Sequence, residues 1–262
     1  MKLVDTHTHL YLNAFDEDRE ECLQRAIASG VNAFLLPNID RSSIAPMKAL
    51  VRAWPQHCFP MMGLHPTSVK ENWEDELSVI KEELDRGAYS AVGEIGIDLY
   101  WDQSFRDIQI EVFCLQAQWA AAKQLPVSIH CRESMDLLLD TLESLALPGL
   151  QGVFHCFTGN AKQAARIIEM GFHLGIGGVF TFKNAGLRLV LKDLGPGALV
   201  LETDAPFLAP VPYRGKRNEP AYIPLVVRHL ADTLGYKAEE IAEITTANAL
   251  KVYPSINVNS PF

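Results

Sequence analysis

No C-x-x-C pair occurs among the five cysteines, Cys22, Cys58, Cys114, Cys131 and Cys156. That excludes a zinc knuckle, and the odd count argues against a disulfide framework. Positive charge is also short: 23 Lys and Arg stand against 32 Asp and Glu, a net of −9. The chain therefore has no global attraction for nucleic acid, and any phosphate-bearing ligand needs a local basic patch or a bound metal. No apolar run is long enough to span a bilayer, and no basic, then apolar leader precedes Asp5. These absences predict a cytoplasmic protein without a membrane partner. Low-complexity linkers, solenoid repeats and shifts of composition are missing too, which leaves residues 1–262 as a single domain.

What is present is an alternation of short β-prone runs and longer amphipathic segments. Strands are expected at Lys2–His9, Val31–Pro37, Phe59–Leu64, Ala91–Ile97, Val127–Cys131, Gly152–Cys156, Phe172–Gly177 and Leu199–Thr203. Helices are expected at Asp16–Ser29, Ile44–Ala53, Glu74–Arg86, Phe105–Lys123, Met135–Leu145, Ala161–Met170 and Leu187–Leu194, with two more at Ile223–Leu234 and Ala238–Val252. Eight β-then-α units predict an α/β protein, a (β/α)₈ TIM barrel. A doubly wound sheet lacks support, because no Gly-x-Gly-x-x-Gly loop follows the first strand.

Reactive groups of such a barrel gather at the carboxyl ends of its strands. His7 and His9 end the first, His65 the third, Glu94 lies in the fourth, His130 ends the fifth, His155 the sixth, and Glu202 and Asp204 the eighth. In an extended chain His7 and His9 share a face, about 7 Å apart. Singly, each of these residues reads as an ordinary structural histidine or a solvated acid. Together they place imidazoles and carboxylates on one rim, a donor set that suits divalent cations. Glu94 can bridge two cations about 3.5–4 Å apart. Asp204 can hold one of them and the proton of an attacking water, with Glu202 supporting from behind. Asp5, deeper in the strand, reads as a hydrogen-bonding residue, and His65 as a substrate contact.

The same alternation turns Cys131 and Cys156 toward the helices and Arg132 toward the site. After the last strand, Ala205–Pro212 is proline-rich, and Arg214, Lys216, Arg217 and Asn218 follow in one long loop. Guanidinium forks and amides there suit phosphate oxygens.

At these residues the chain resembles the TatD family of metal-dependent hydrolases. Asp5-Thr6-His7-Thr8-His9, Gly63-Leu64-His65-Pro66, Gly93-Glu94-Ile95-Gly96-Ile97-Asp98, Ile129-His130-Cys131-Arg132, Phe154-His155-Cys156-Phe157-Thr158-Gly159, Glu202-Thr203-Asp204-Ala205-Pro206 and Pro212–Pro220 all match in order. The resemblance implies a TIM barrel, two divalent metal ions and nuclease activity described as magnesium-dependent, often 3′→5′ on DNA. It implies His7, His9, Glu94 and Asp204 on one metal and Glu94, His130 and His155 on the other. Four imidazoles favour Zn²⁺ or Mn²⁺ over Mg²⁺ by affinity order. The expected function is a phosphodiesterase acting on a DNA end, with Asp204 and Glu94 catalytic and a monomer favoured. A metal-dependent hydrolase of an amide, lactone or aminoacyl ester is the alternative, and a non-enzymatic metal-dependent interaction module a third reading.

Overall fold

Each apolar run forms a strand, and the strands lie side by side in chain order: β1 (Leu3–Asp5), β2 (Val31–Leu36), β3 (Cys58–Met62), β4 (Ala91–Asp98), β5 (Val127–Arg132), β6 (Gly152–Phe154), β7 (His173–Ile176) and β8 (Leu199–Leu201). This computed structural model describes residues 2–183 and 186–256. All neighbouring pairs are parallel. The ring closes on itself at one seam, where the Thr6 amide donates to the Leu201 carbonyl at 2.9 Å and Thr8 bridges to Ala205. The expected (β/α)₈ barrel is thus the fold.

The helices α1 (Arg19–Ala28), α2 (Arg41–Ala53), α3 (Trp73–Arg86), α4 (Arg106–Lys123), α5 (Met135–Leu145), α6 (Ala161–Glu169), α7 (Leu187–Leu194), α8 (Ile223–Leu234) and α9 (Ala238–Val252) follow the expected positions. Two starts differ for identifiable reasons. α2 begins three residues before the apolar periodicity, because Asp40 and Ser43 form a reciprocal capping box. α1 begins three residues later than expected, after a 3₁₀ turn at Asn13–Phe15. The expected strand over Lys2–His9 ends at Asp5 as a regular ladder; His7 and His9 run on past the barrel rim.

Alternation along the strands divides the core in two. Val4, Ala33, Leu35, Met61, Ala91, Val153 and Val200 fill the lumen, and Val252 and Tyr253 at the end of α9 plug its floor. Phe34, Leu36, Val92, Ile95, Ile97, Ile129 and Phe154 face the helix layer. β4 breaks strict alternation once. Val92 pairs with Val127 but Ile95 with Ile129, so three steps on β4 oppose two on β5. This one-residue bulge reverses the parity, because without it Glu94 would share the outward face of Val92. With it, Ile95 and Ile97 pack outward and Glu94, Gly96 and Asp98 turn into the barrel.

Gly96 then sits directly against His130 in the β4–β5 ladder. Its φ is +149°, and a Cβ there would lie 1.9 Å from the His130 carbonyl oxygen. Only glycine permits that approach. Gly96→Ala is expected to lower stability by about 2–5 kcal/mol, from overpacking and backbone strain. A shift of the denaturant midpoint measures it, and an unchanged midpoint would contradict this account of the β4–β5 contact.

Candidate metal centre

Glu94 is buried, and its two carboxylate oxygens face two different sets of nitrogens. Oε2 lies 3.1 Å from His7 Nε2 and 3.5 Å from His9 Nε2. The same two nitrogens stand 3.8 and 3.6 Å from Asp204 Oδ1. Oε1 lies 2.9 Å from His130 Nδ1, 3.3 Å from His65 Nε2 and 3.6 Å from His155 Nε2. Register explains the convergence. His130 is opposite Gly96, so Glu94 and Asp98, two residues to either side, flank it and hydrogen-bond its two ring nitrogens. His155, just past the end of β6, neighbours His130 through its amide donating to the Ile129 carbonyl, and its ring stacks on His7 at 3.6 Å. Among the described residues, His7/His9/Glu94, His7/His155/Asp204 and His65/Glu94/His130 each bring ligand atoms within 4.8 Å of one another.

The far nitrogen of each imidazole fixes which lone pair is available. His130 Nε2 donates to Asp98 Oδ2 at 2.8 Å, which leaves Nδ1 for the centre. The Tyr11 hydroxyl donates to the Pro37 carbonyl, so its oxygen accepts from His9 Nδ1 at 2.8 Å and leaves Nε2. Ser128 Oγ holds His7 Nδ1 at 3.1 Å, and Glu202 Oε1 lies 3.2 Å from His155 Nδ1. His65 is the exception. Its Nδ1 accepts the Thr67 amide at 3.1 Å, so a neutral His65 carries its proton on Nε2. His65 is therefore a donor at the edge of the centre, whereas the other four present lone pairs. Four imidazoles, a carboxylate with one oxygen toward each set, and Asp204 fit two divalent cations.

Tyr11 and Ser128 carry this arrangement without being singled out in the sequence, and Asp98 enters there only as the end of the strand-four motif, with no role of its own. A signal existed: each stands at even spacing from a ligating candidate, Asp98 from Glu94, Ser128 from His130 and Tyr11 from His9. Asp5 behaves as expected, accepting the Thr203 amide at 2.9 Å across the seam.

The charges respond to one another. Burial pulls His7 well below its usual value, with repulsion from His155 adding to it. Burial also opposes charge on His155, but Glu202 and Glu94 outweigh it and push this imidazole up to about 10. Burial is outweighed at His130 too, by the hydrogen bonds its ring donates to Asp98 and Glu94, and its value rises. Burial raises Asp204 to about 6, more than His155 and His9 hold it down.

Above these groups opens a cavity of about 590 Å³, walled by Trp101, Arg132, Val179, Phe207 and Leu208, with His65, Asp98 and Cys156 among its lining. Cys156 departs from the expectation that its thiol belongs to the helix layer. It follows the end of β6 with φ +47°, where strand alternation no longer applies, and it borders the cavity. Cys131 remains in β5, with Sγ against Ser134 Oγ and Met135 at the start of α5, as well as edging the cavity.

Contrary to expectation, the basic stretch of the long loop after β8 lies apart from the cavity. Arg132 lines the cavity, but Arg214, Lys216, Arg217 and Asn218 do not. Arg217 grips both oxygens of Asp18 at 2.6 and 2.8 Å and donates to the Ala14 carbonyl. Asn218 is buried and donates to the Thr203 carbonyl at 2.7 Å. Arg214 lies over Phe182 and Lys216 over Tyr213. A carboxylate and a main-chain carbonyl take the Arg217 and Asn218 groups expected to meet phosphate, so these two hold the loop to the N-terminal cap of α1 and to the segment after β8 that bears Asp204.

Two outcomes are expected. Asp98→Asn removes the charge that orients His130 and should weaken divalent-cation binding about 10- to 100-fold by titration calorimetry; unchanged affinity would contradict the orienting role. His155 and His130 hold protons below their raised values, and a cation must displace them. Cation affinity should therefore climb as pH rises from about 6 to 9, with proton release visible as a dependence of binding heat on buffer ionisation.

A family model described as TatD related DNase matches residues 4–254. YabD of Bacillus subtilis (strain 168), described as an uncharacterized metal-dependent hydrolase, is 38% identical over 252 residues, covering 96% of this chain and 98% of its own. The 3′-5′ ssDNA/RNA exonuclease TatD of Pectobacterium atrosepticum is 31% identical over 261 residues, covering 96% and 99%. The crystal structure of YjjV, a TatD homolog from Escherichia coli K12, superposes with a TM-score of 0.90 at 31% identity, covering 96% and 98%. Among the described residues no helix is long and apolar enough to cross a membrane. With end-to-end similarity and clusters that could hold metal at its centre, this chain belongs to the TatD family and is a metal-dependent hydrolase.

Proposed function

We propose that the protein hydrolyses phosphodiester bonds at the end of a nucleic-acid strand, as a 3′→5′ exonuclease. The observation that carries this reading is the split carboxylate of Glu94, each oxygen turned to its own set of imidazoles. His7, His9, Glu94 and Asp204 would hold one divalent cation, and Glu94, His130 and His155 the other. When bound, such a pair polarises a phosphoryl oxygen and acidifies water at neutral pH. Relatives of similar length named as 3′-5′ ssDNA/RNA exonucleases support the choice of bond.

The chain's own residues have distinct tasks. Asp204 is the acceptor for the proton of the attacking water, a carboxylate whose proton affinity burial raises. His65 offers its Nε2 proton to a non-bridging phosphate oxygen, fixed in that form by the Thr67 amide. Arg132 supplies positive charge on the cavity wall. The cavity, about 590 Å³, suits the last nucleotides of a strand and not the side of a duplex.

Glu94→Gln and Asp204→Asn should each reduce metal-dependent trimming of a 3′-ended oligonucleotide by about 100-fold or more, followed on a denaturing gel. Retained full activity in either would overturn the assignment. His65→Ala should cost about 10- to 100-fold in kcat/KM. With the cations of the long loop away from the cavity, two or three phosphate contacts give a shallow salt dependence, a slope of about −1.4 to −2.1 in log K against log salt. A steeper slope would require a strand path over the outer surface. Preference for an aminoacyl ester, amide or lactone in parallel assays would move the reading to those bonds.

A further inference from the structure

The cavity mouth carries apolar surface that the fold does not need. Seven large hydrophobic side chains are exposed among the described residues, and four of them cluster here: Tyr100 (49%), Trp101 (70%), Phe207 (51%) and Leu208 (39%). They arrive on two separate loops, after β4 and after β8, and Trp101, Phe207 and Leu208 line the same cavity as the metal-centre residues. Exposed apolar patches of this kind mark binding surfaces.

These rings are positioned. Asp98 Oδ1 accepts the amides of Tyr100 at 3.0 Å and Trp101 at 3.3 Å, while Oδ2 accepts His130 Nε2. Downstream, Gln103 donates to the Leu99 carbonyl and Lys70 pairs with Asp102 at 3.2 Å. Opposite in sequence, the Phe207 amide donates to the Asp204 carbonyl at 2.8 Å, and its ring centroid stands 6.3 Å from that of His9. Trp101 and Phe207 thus each lie three residues past a carboxylate of the centre. Arg132 completes the group: its guanidinium is 3.7 Å from the Tyr100 ring centroid and 5.3 Å from that of Trp101.

We propose that Trp101 and Phe207 form a stacking rim for unpaired nucleobases, with Arg132 beside it, so that a single-stranded end is held by its base faces while its phosphate reaches the cavity floor. This rests on the phosphodiesterase reading above. Flat π-surfaces next to a cation match a base joined to a phosphate, and every base offers such a face, so the rim binds without reading sequence. A paired base is held by its partner strand and by its stacked neighbour, and must leave its helix to use the rim. DNA and RNA share this chemistry.

The test compares wild type with Trp101→Ala, Phe207→Ala and Trp101→Phe, all metal-loaded. Substrates are d(T)₅, r(U)₅ and a matched strand whose three 3′-terminal nucleotides are abasic. Trp101→Ala and Phe207→Ala should raise KM on d(T)₅ or r(U)₅ about 5- to 100-fold with kcat little changed, and Trp101→Phe should recover most of the loss. On the abasic strand the variants and wild type should be alike. Equal losses on both kinds of strand, or no loss on either, would overturn the rim. Wild-type cleavage of the abasic strand as efficiently as d(T)₅ would also overturn it, with the phosphodiesterase reading intact. If wild type cleaves no strand, that reading fails. Tryptophan fluorescence in EDTA then decides the rim: quenching by d(T)₅ that disappears in Trp101→Phe supports it, and no quenching overturns it.

Discussion

Everything in the centre depends on one buried carboxylate that is not allowed a single partner. Glu94 has nitrogens crowding both of its oxygens, and a lone imidazolium could satisfy only one side. The protein around it answers with protons: Glu202 and Glu94 raise the proton affinity of His155, and Asp98 and Glu94 that of His130. That arrangement is electrostatically balanced yet exchangeable, since each of those protons marks a lone pair that a cation can take over. The bulge in β4 is what permits it. One additional residue between Val92 and Ile95 moves Glu94 from the strand face that packs against the helices to the face that meets the barrel axis.

The polar groups behind the ligating candidates show how much of the site is orientation. Tyr11, Ser128 and Asp98 each hydrogen-bond the far nitrogen of one imidazole, Glu202 stands 3.2 Å from that of His155, and His65 differs from its neighbours only because a main-chain amide reaches its Nδ1 first. Five histidines that look equivalent by composition are thereby divided into four acceptors of a cation and one donor of a proton.

Much of this was legible in the sequence, for a physical reason. Strand and helix periods are local, so the eight βα units and most helix ends could be placed from apolar spacing alone, and barrel geometry then put His7, His9, Glu94, His130, His155 and Asp204 on one rim. What escaped depended on register or on competition. The inward turn of Glu94 comes from a bulge, which leaves no mark in residue types. Cys156 was assigned to the helix layer by an alternation that stops at Phe154. Arg217 and Asn218 looked like phosphate ligands because the partners that take them, Asp18 and the Thr203 carbonyl, are distant in sequence. The aromatic mouth was invisible as well, since Trp101 and Phe207 are over a hundred residues apart and neither has a pattern of its own.

The seam of the barrel has a consequence beyond closure. β1 and β8 are joined by little regular pairing: the Thr6 amide on the Leu201 carbonyl, the Asp204 amide on the His7 carbonyl, the Thr8–Ala205 bridge, and Asp5 reaching to Thr203. His7 and His9 stand on one lip of that join and Asp204 on the other. A cation held by all three would act as a rivet through the first and last strands, so the chain's two ends are fastened at the place where its chemistry occurs. Occupancy of the centre and integrity of the ring then become one mechanical property, and the barrel is at its most complete when it is ready to react.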